Sequence, residues 1–180
     1  SSAASSSGRS SSQAARSSGS VVRPGMAAAA AGAEGVCLMH AQGTPEVMQD
    51  APAYGDVLLD VFDALEARVE AAEAAGIARA RILVDPGIGF GKTLQHNVSL
   101  LRRLSFYHGL GCAVLVGASR KRFVGTIGGA PEAAGRMPGS VAVALHAAAQ
   151  GAQVLRVHDV GETAQALRLW TALGDARADD

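Results

Sequence analysis

The chain has 180 residues, and its 16 Lys and Arg are balanced by 16 Asp and Glu. That is the length of one domain, and the balanced charge argues against an electrostatic nucleic-acid binder. Cys37 and Cys112 are too few and too far apart for a disulfide framework or a zinc site, and no apolar run approaches the roughly 18 residues of a membrane span. Both cysteines are expected to be reduced, buried core residues of a cytoplasmic protein.

In chain order, the first 20 residues include eleven serines, no acidic residue and no large apolar one. Such a segment cannot bury enough surface to offset its ordering entropy. Residues 1–23 are therefore read as a disordered Ser/Ala/Arg-rich tail and residues 24–180 as the folded domain. Arg9, Arg16 and Arg23 superficially suit an organelle transit peptide, but the chain opens on Ser1 without a methionine. Met26–Ala31 is read as a short helix leading into the first strand.

Four apolar runs follow, at Val36–His40, Ile82–Asp85, Ala113–Gly117 and Val154–Val157. Each is nearly continuous, as parallel strands covered on both faces should be. Between the first two, Leu58, Val61, Phe62, Leu65, Val69 and Ala72 fall on one helical face, and a row of Asp and Glu occupies the other. Pro52 and Gly76 bracket that helix. A second helix carries Leu94, Val98, Leu101 and Leu104. A third runs from about Ser140 to Gln150, and a last one holds Ala166, Leu167, Trp170 and Leu173.

Alternating strands and helices give an α/β fold with a parallel sheet. About four βα units are present, half of a (β/α)8 TIM barrel, whose full size is roughly 250 residues. A half barrel leaves open strand edges near Val36–His40 and Val154–His158.

Ligands of parallel βα folds sit beyond the carboxyl ends of the strands. Asp85, Ser119, Lys121, Arg156 and His158 all fall at or just after such an end. Gly87–Thr93, GIGFGKT, is not a phosphate loop, since three residues separate Gly87 from Gly91 where four are needed. Gly117–Lys121, GASRK, lacks the final glycine of a nucleophile elbow.

Asp85 before Pro86 and Gly87 could simply organise a turn, but a carboxylate at a dry strand end also pairs two parallel N–H donors. Arg120, Lys121 and Arg122 could be a solvated basic run, yet Ser119 and Lys121 follow an apolar strand within a few residues. Arg156 and His158, one residue apart, share a face on an extended backbone and suit an anion clamp, though taken alone they would read as a satisfied pair in the barrel interior. Met39 and His40 belong to the core and its upper edge; His96, His108 and His146 are read as structural or exposed.

The ordered set LMHAQGTP (Leu38–Pro45), ILVDPGIGFGK (Ile82–Lys92), LVGASRK (Leu115–Lys121) and LRVHDV (Leu155–Val160) resembles the C-terminal half of dihydropteroate synthases, from about Pro24 to the chain's end. These are folate-pathway transferases that displace pyrophosphate from 7,8-dihydropterin pyrophosphate with the amine of p-aminobenzoate. The resemblance implies pterin contacts from Asp85, Lys121, Met39 and Phe90, and a p-aminobenzoate contact from Ser119. It implies pyrophosphate binding by Arg156 and His158, with Lys121, Arg156 and His158 as the catalytic group. It further implies Mg2+, with no metal ligand in this chain, and a homodimer, with no nucleic-acid or membrane partner.

The family's first half has no counterpart here, so catalysis by this chain alone is not expected. A frameshift or misassigned start just upstream of Val21 is the expected origin of the serine-rich beginning. A noncatalytic pterin-binding half-domain and an inert truncated half barrel are the alternatives. A pterin-dependent methyltransferase fits less well with Ser119, Lys121, Arg156 and His158.

Overall fold

The structure, a computed structural model, describes residues 32, 34–42 and 53–175. The expected tail, the helix at Met26–Ala31, the residues Gly43–Pro45 and Pro52 lie outside the described residues. Four parallel strands make one sheet in the order β1-β2-β3-β4: β1 Val36–Met39, β2 Ile82–Asp85, β3 Ala113–Val116 and β4 Val154–Leu155. Helices lie between and after them: α1 Val57–Ala74, α2 Leu94–Arg102, α3 Arg122–Gly128, α4 Met137–Ala149 and α5 Val160–Asp175. β1 and β4 are the sheet's edges, as the half-barrel reading requires.

The helix α1 forms where the apolar stripe and its cap coincide. Asp56 accepts from the Leu58 amide at 2.8 Å and from that of Leu59 at 3.4 Å, which satisfies two donors the first turn leaves open. Leu58, Val61, Leu65, Val69 and Ala72 are buried as the period predicts, and Phe62 packs partly buried against them. Gly76 follows with φ +89°, a conformation glycine adopts without a Cβ penalty. Helix α2 starts on Thr93, whose Oγ1 accepts from the His96 amide at 3.2 Å while His96 Nδ1 accepts from the Thr93 amide.

The core lies on one side of the sheet. Leu38, Ile82, Val84, Val114 and Val116 are all below a tenth exposed and pack under α1, α2 and the 3-10 turn Leu104–Leu110. Tyr107, fully buried in that turn, donates its hydroxyl to Leu58 O at 3.3 Å. The opposite sheet face carries Cys37, Leu83, Ala113, Leu115 and Val154, each partly or fully exposed.

Cys37 therefore corrects the expectation of two buried cysteines; Cys112 is buried, but Cys37 is exposed because its strand turns it away from the helices. Among the described residues no helix is long and apolar enough to cross a membrane.

Several boundaries also differ from the periodic reading. Leu104 leaves α2 for the 3-10 turn, where it is fully buried. The basic run, which carries no periodic signal, opens the short helix α3. β4 ends at Leu155 rather than Val157, because the residues after it turn toward the loop that follows β3. α5 packs on α4, and its Trp170 and Leu173 are 41% and 71% exposed.

Candidate functional site

The turn after β2 is the floor of the site, and its conformation requires its glycines. Gly87, Gly89 and Gly91 all have positive φ, and a Cβ on Gly87 would lie 1.7 Å from His40 O. The backbone polar groups of this turn are satisfied one by one from its surroundings. Asp85 Oδ1 accepts from the Gly87 amide at 2.7 Å, and Asn97 Oδ1 from the Gly89 amide at 2.6 Å. Lys121 Nζ donates to Ile88 O, Lys92 Nζ to Phe90 O at 3.0 Å, and the Tyr54 hydroxyl to Gly91 O at 2.8 Å. Side chains from three different βα units hold one turn.

Asp85 is 5% exposed at the end of β2, facing the Met39 end of β1 in register. Burial pushes its carboxyl above the usual range, opposed by the Gly87 amide and by the charges of Lys121, Lys92 and Arg156. Its Oδ1 is engaged with the Gly87 amide, and its Oδ2 makes no hydrogen bond with the described residues. Lys121 comes from the loop after β3 and lies 4.1 Å from the centroid of the Phe90 ring, a cation–π contact. Burial lowers its pKa to about 8, against the upward pull of Asp85. An amine thus lies over one aromatic wall, and its charge acts on the carboxylate of Asp85.

The loop after β4 supplies the other end. Arg156 donates its backbone N–H to Val116 O at 2.9 Å, and its exposed guanidinium makes no hydrogen bond with the described residues. Its charge nonetheless acts on both Asp85 and Lys121. His158 is exposed, donates its amide to Ser119 Oγ at 3.2 Å, and has Nδ1 3.0 Å from the same oxygen. That contact orients the imidazole and leaves Nε2 for a ligand. Ser119 itself is 6% exposed.

All seven residues singled out from the sequence, Met39, Asp85, Phe90, Ser119, Lys121, Arg156 and His158, lie at the carboxyl end of the sheet. His96, His108 and His146 are structural as expected, the last two contacting Gln150 O and Leu101 O at 3.1 and 3.0 Å.

Four contributors were missed: Lys92, Asn97, Tyr54 and the pair Arg120–Asp159. Lys92 is 4% exposed and meets His40 Nδ1 at 3.0 Å. Burial brings it down to about 7 and His40 down to about 3, so the imidazole stays neutral and accepts from the amine. The available signal was a lysine two residues after Phe90, beside a turn already read as close-packed. Arg120 Nε donates to Asp159 Oδ2 at 3.0 Å and Nη2 to Oδ1, where the sequence suggested a solvated run.

No group of three or more His, Cys, Asp or Glu side chains converges among the described residues. These residues do not by themselves build a site for the magnesium that the resemblance implies.

Residues 17–158 match the family model described as pterin binding enzyme, so the match starts seven residues before Pro24 and corrects the later start expected from the motifs. A dihydropteroate synthase of Neisseria meningitidis serogroup C is 52% identical over 141 residues, 78% of this chain and 50% of that protein. The enzyme of Escherichia coli K12 is 46% identical over 142 residues, 79% of this chain and 50% of its own length. The solved structure of dihydropteroate synthase from Xanthomonas albilineans in complex with 7,8-dihydropteroate superposes with a TM-score of 0.79 at 43% identity, over 87% of this chain and 57% of that one. The chain spans about half the length of the curated relatives it matches.

Proposed function

Because this chain belongs to the family of pterin-binding enzymes, we propose that it forms the pterin- and pyrophosphate-holding part of a dihydropteroate synthase. The reaction is the transfer of a dihydropterin methylene from pyrophosphate to the amine of p-aminobenzoate in folate biosynthesis. The observation that carries this reading is the meeting of Asp85, Lys121 and Phe90 around the glycine turn. An ionised Asp85 accepts the parallel N–H donors of the pterin's 2-amino and N3 edge, while Lys121 donates to its acceptor atoms. Met39 and Phe90 wall the ring plane.

Arg156 and His158 receive the pyrophosphate. As the bond from the methylene carbon to the pyrophosphate oxygen breaks, its electron pair leaves with the oxygen, and the growing charge falls beside the guanidinium and His158 Nε2. The p-aminobenzoate amine, held beside Ser119, then bonds to the cationic methylene and releases one proton. Lys121, Arg156 and His158 are the catalytic group in this account. Mg2+ accompanies the pyrophosphate in this reading, without a protein ligand among the described residues.

The setting we propose is cytoplasmic, and the assembly a homodimer. The exposed Val160, Leu169, Trp170 and Leu173 on α5 support a second copy.

The test is calorimetric titration of the purified 180-residue chain with a pterin, beside an assay for dihydropteroate. Pterin binding without turnover by this chain alone is the expected result. No binding of any pterin would remove the reading. Binding that persists without turnover even when the family's remaining residues are supplied would leave a noncatalytic pterin-binding module.

A further inference from the structure

Three consecutive residues after β3 serve opposite sides of the site. Ser119 reaches His158, and Arg120 reaches the next residue, Asp159, with Nε 3.0 Å from Oδ2 and Nη2 bonded to Oδ1. Lys121 turns the other way, to Ile88 O and the Phe90 ring. Two adjacent residues of one loop thus clasp two adjacent residues of the next, and the third grips the loop on the far side.

The reversal happens at Arg120, whose φ of +56° is the one positive value among the described non-glycine residues. A long side chain rarely occupies that region, and it persists where its surroundings over-determine it. The amide, the carbonyl and one edge of the guanidinium of Arg120 are all held. Its amide donates to Ser140 Oγ at 2.8 Å, its carbonyl accepts from Arg136 Nη1 at 2.9 Å, and its guanidinium is bidentate on Asp159. Ser140 Oγ closes the circuit by donating to Arg136 O at 2.7 Å. The ion pair is 33% and 12% exposed at its two side chains, and its two parallel hydrogen bonds fix the direction in which the loops meet.

Glycine, which adopts this backbone freely, would serve a simple turn here. An arginine that accepts the strain and spends that edge on Asp159 serves to fix one loop against the other.

We propose that Arg120 is a positioning residue: through Asp159 it locks the pyrophosphate end of the site, Arg156 and His158, in register with the pterin end, Asp85, Phe90 and Lys121. The inference rests on the pterin-binding reading and adds a quantity to it. Two subsites held at fixed separation bind a ligand spanning both far more tightly than subsites that drift, even when each binds its own part equally well. In this account Arg120 acts through Asp159 and not on the ligand itself. Its effect is on the linkage between the two ends.

The full 180-residue chain is titrated calorimetrically with three probes: a 6-hydroxymethyl pterin, inorganic pyrophosphate, and the pterin pyrophosphate that joins them. Arg120→Gly keeps the left-handed backbone available and removes the clasp. It is expected to change affinity for each separate part by less than about threefold and to weaken the joined ligand by about tenfold or more. Asp159→Asn, which breaks the clasp from the other loop, is expected to reproduce that pattern. The double variant should be no worse than either single one, because both remove the same interaction.

Equal loss for all three probes together with a lowered melting temperature would mean a purely structural arginine and overturn the proposal. So would unchanged affinity for the joined ligand, or additive losses in the double variant. Failure of the unmodified chain to bind the bare pterin is a different result: it removes the functional reading itself, and this inference with it.

Discussion

Lys92 Nζ lies 3.0 Å from His40 Nδ1, and both residues are almost fully buried. The contact joins the end of the glycine turn to the residue after β1, where Gly87 already presses against His40 O. Two basic groups can share such a contact because the imidazole is neutral at neutral pH and the amine there is only partly charged. Burial and the neighbouring charges bring His40 to about 3 and Lys92 to about 7.

Stability should consequently rise with pH in two windows. Between about pH 3 and 6.5 the unfolded chain protonates His40 while the folded chain does not, so stability falls on acidification through that range. The shift corresponds to at most about 5 kcal/mol. Between about 7 and 10.5 the unfolded chain keeps the Lys92 proton that the fold has released, so stability increases toward alkaline pH. Asp85, raised by burial, acts oppositely: just above its unfolded value of 3.8 the fold holds the extra proton, and stability drops as pH rises there. Urea denaturation of the chain and of His40→Asn, which keeps an acceptor for Lys92, should show a shallower acid limb in the variant. Lys92→Met should remove the part of the rise that begins near pH 7 and leave the part that Lys121, lowered to about 8, adds above that value; a flat profile from pH 7 to 10 in the unmodified chain would contradict this assignment.

Asp85→Asn replaces a carboxylate oxygen with a donor that faces another donor. A loss of about 2–3 kcal/mol in pterin affinity is expected, the value of a broken hydrogen bond to a charged group. Arg156→Ala should instead weaken pyrophosphate and leave a bare pterin nearly unchanged. Calorimetry with the two ligands separates the cases, and equal pterin affinity for Asp85→Asn would discard its role.

Gly87→Ala should destabilise the fold by roughly 2–4 kcal/mol, since it combines a left-handed backbone with a Cβ placed against His40 O. Gly76→Ala is the control. It has φ +89° but nothing within 4 Å of the added Cβ, so it should cost about 1–2 kcal/mol. Equal losses in chemical denaturation would show that the close approach contributes nothing.

In Ser119→Ala, His158 loses the oxygen that receives its amide and orients its ring. Because Ser119 also borders the proposed p-aminobenzoate position, affinity for pyrophosphate and for p-aminobenzoate should each fall by about 1 kcal/mol. A fall in p-aminobenzoate affinity alone would show that the orientation of His158 does not depend on the hydroxyl.

The sequence by itself determined what periodicity and burial can encode. The stripe of α1, the four apolar runs and the placement of Asp85 at a strand end are local patterns, each readable because one face of an element must leave water. The grouping of site residues at one end of the sheet followed from strand direction alone.

Tertiary structure decided where side chains in the turns point. Ser119 and Arg120 meet His158 and Asp159 across 39 residues of sequence, and Lys92 meets His40 across 52. No local pattern distinguishes a lysine bound for solvent from one buried on a distant imidazole, because the energy that selects its direction comes from the partner. The exposure of Cys37 has the same origin. Its alternation was legible, but which sheet face the helices cover was settled only by how the units pack together.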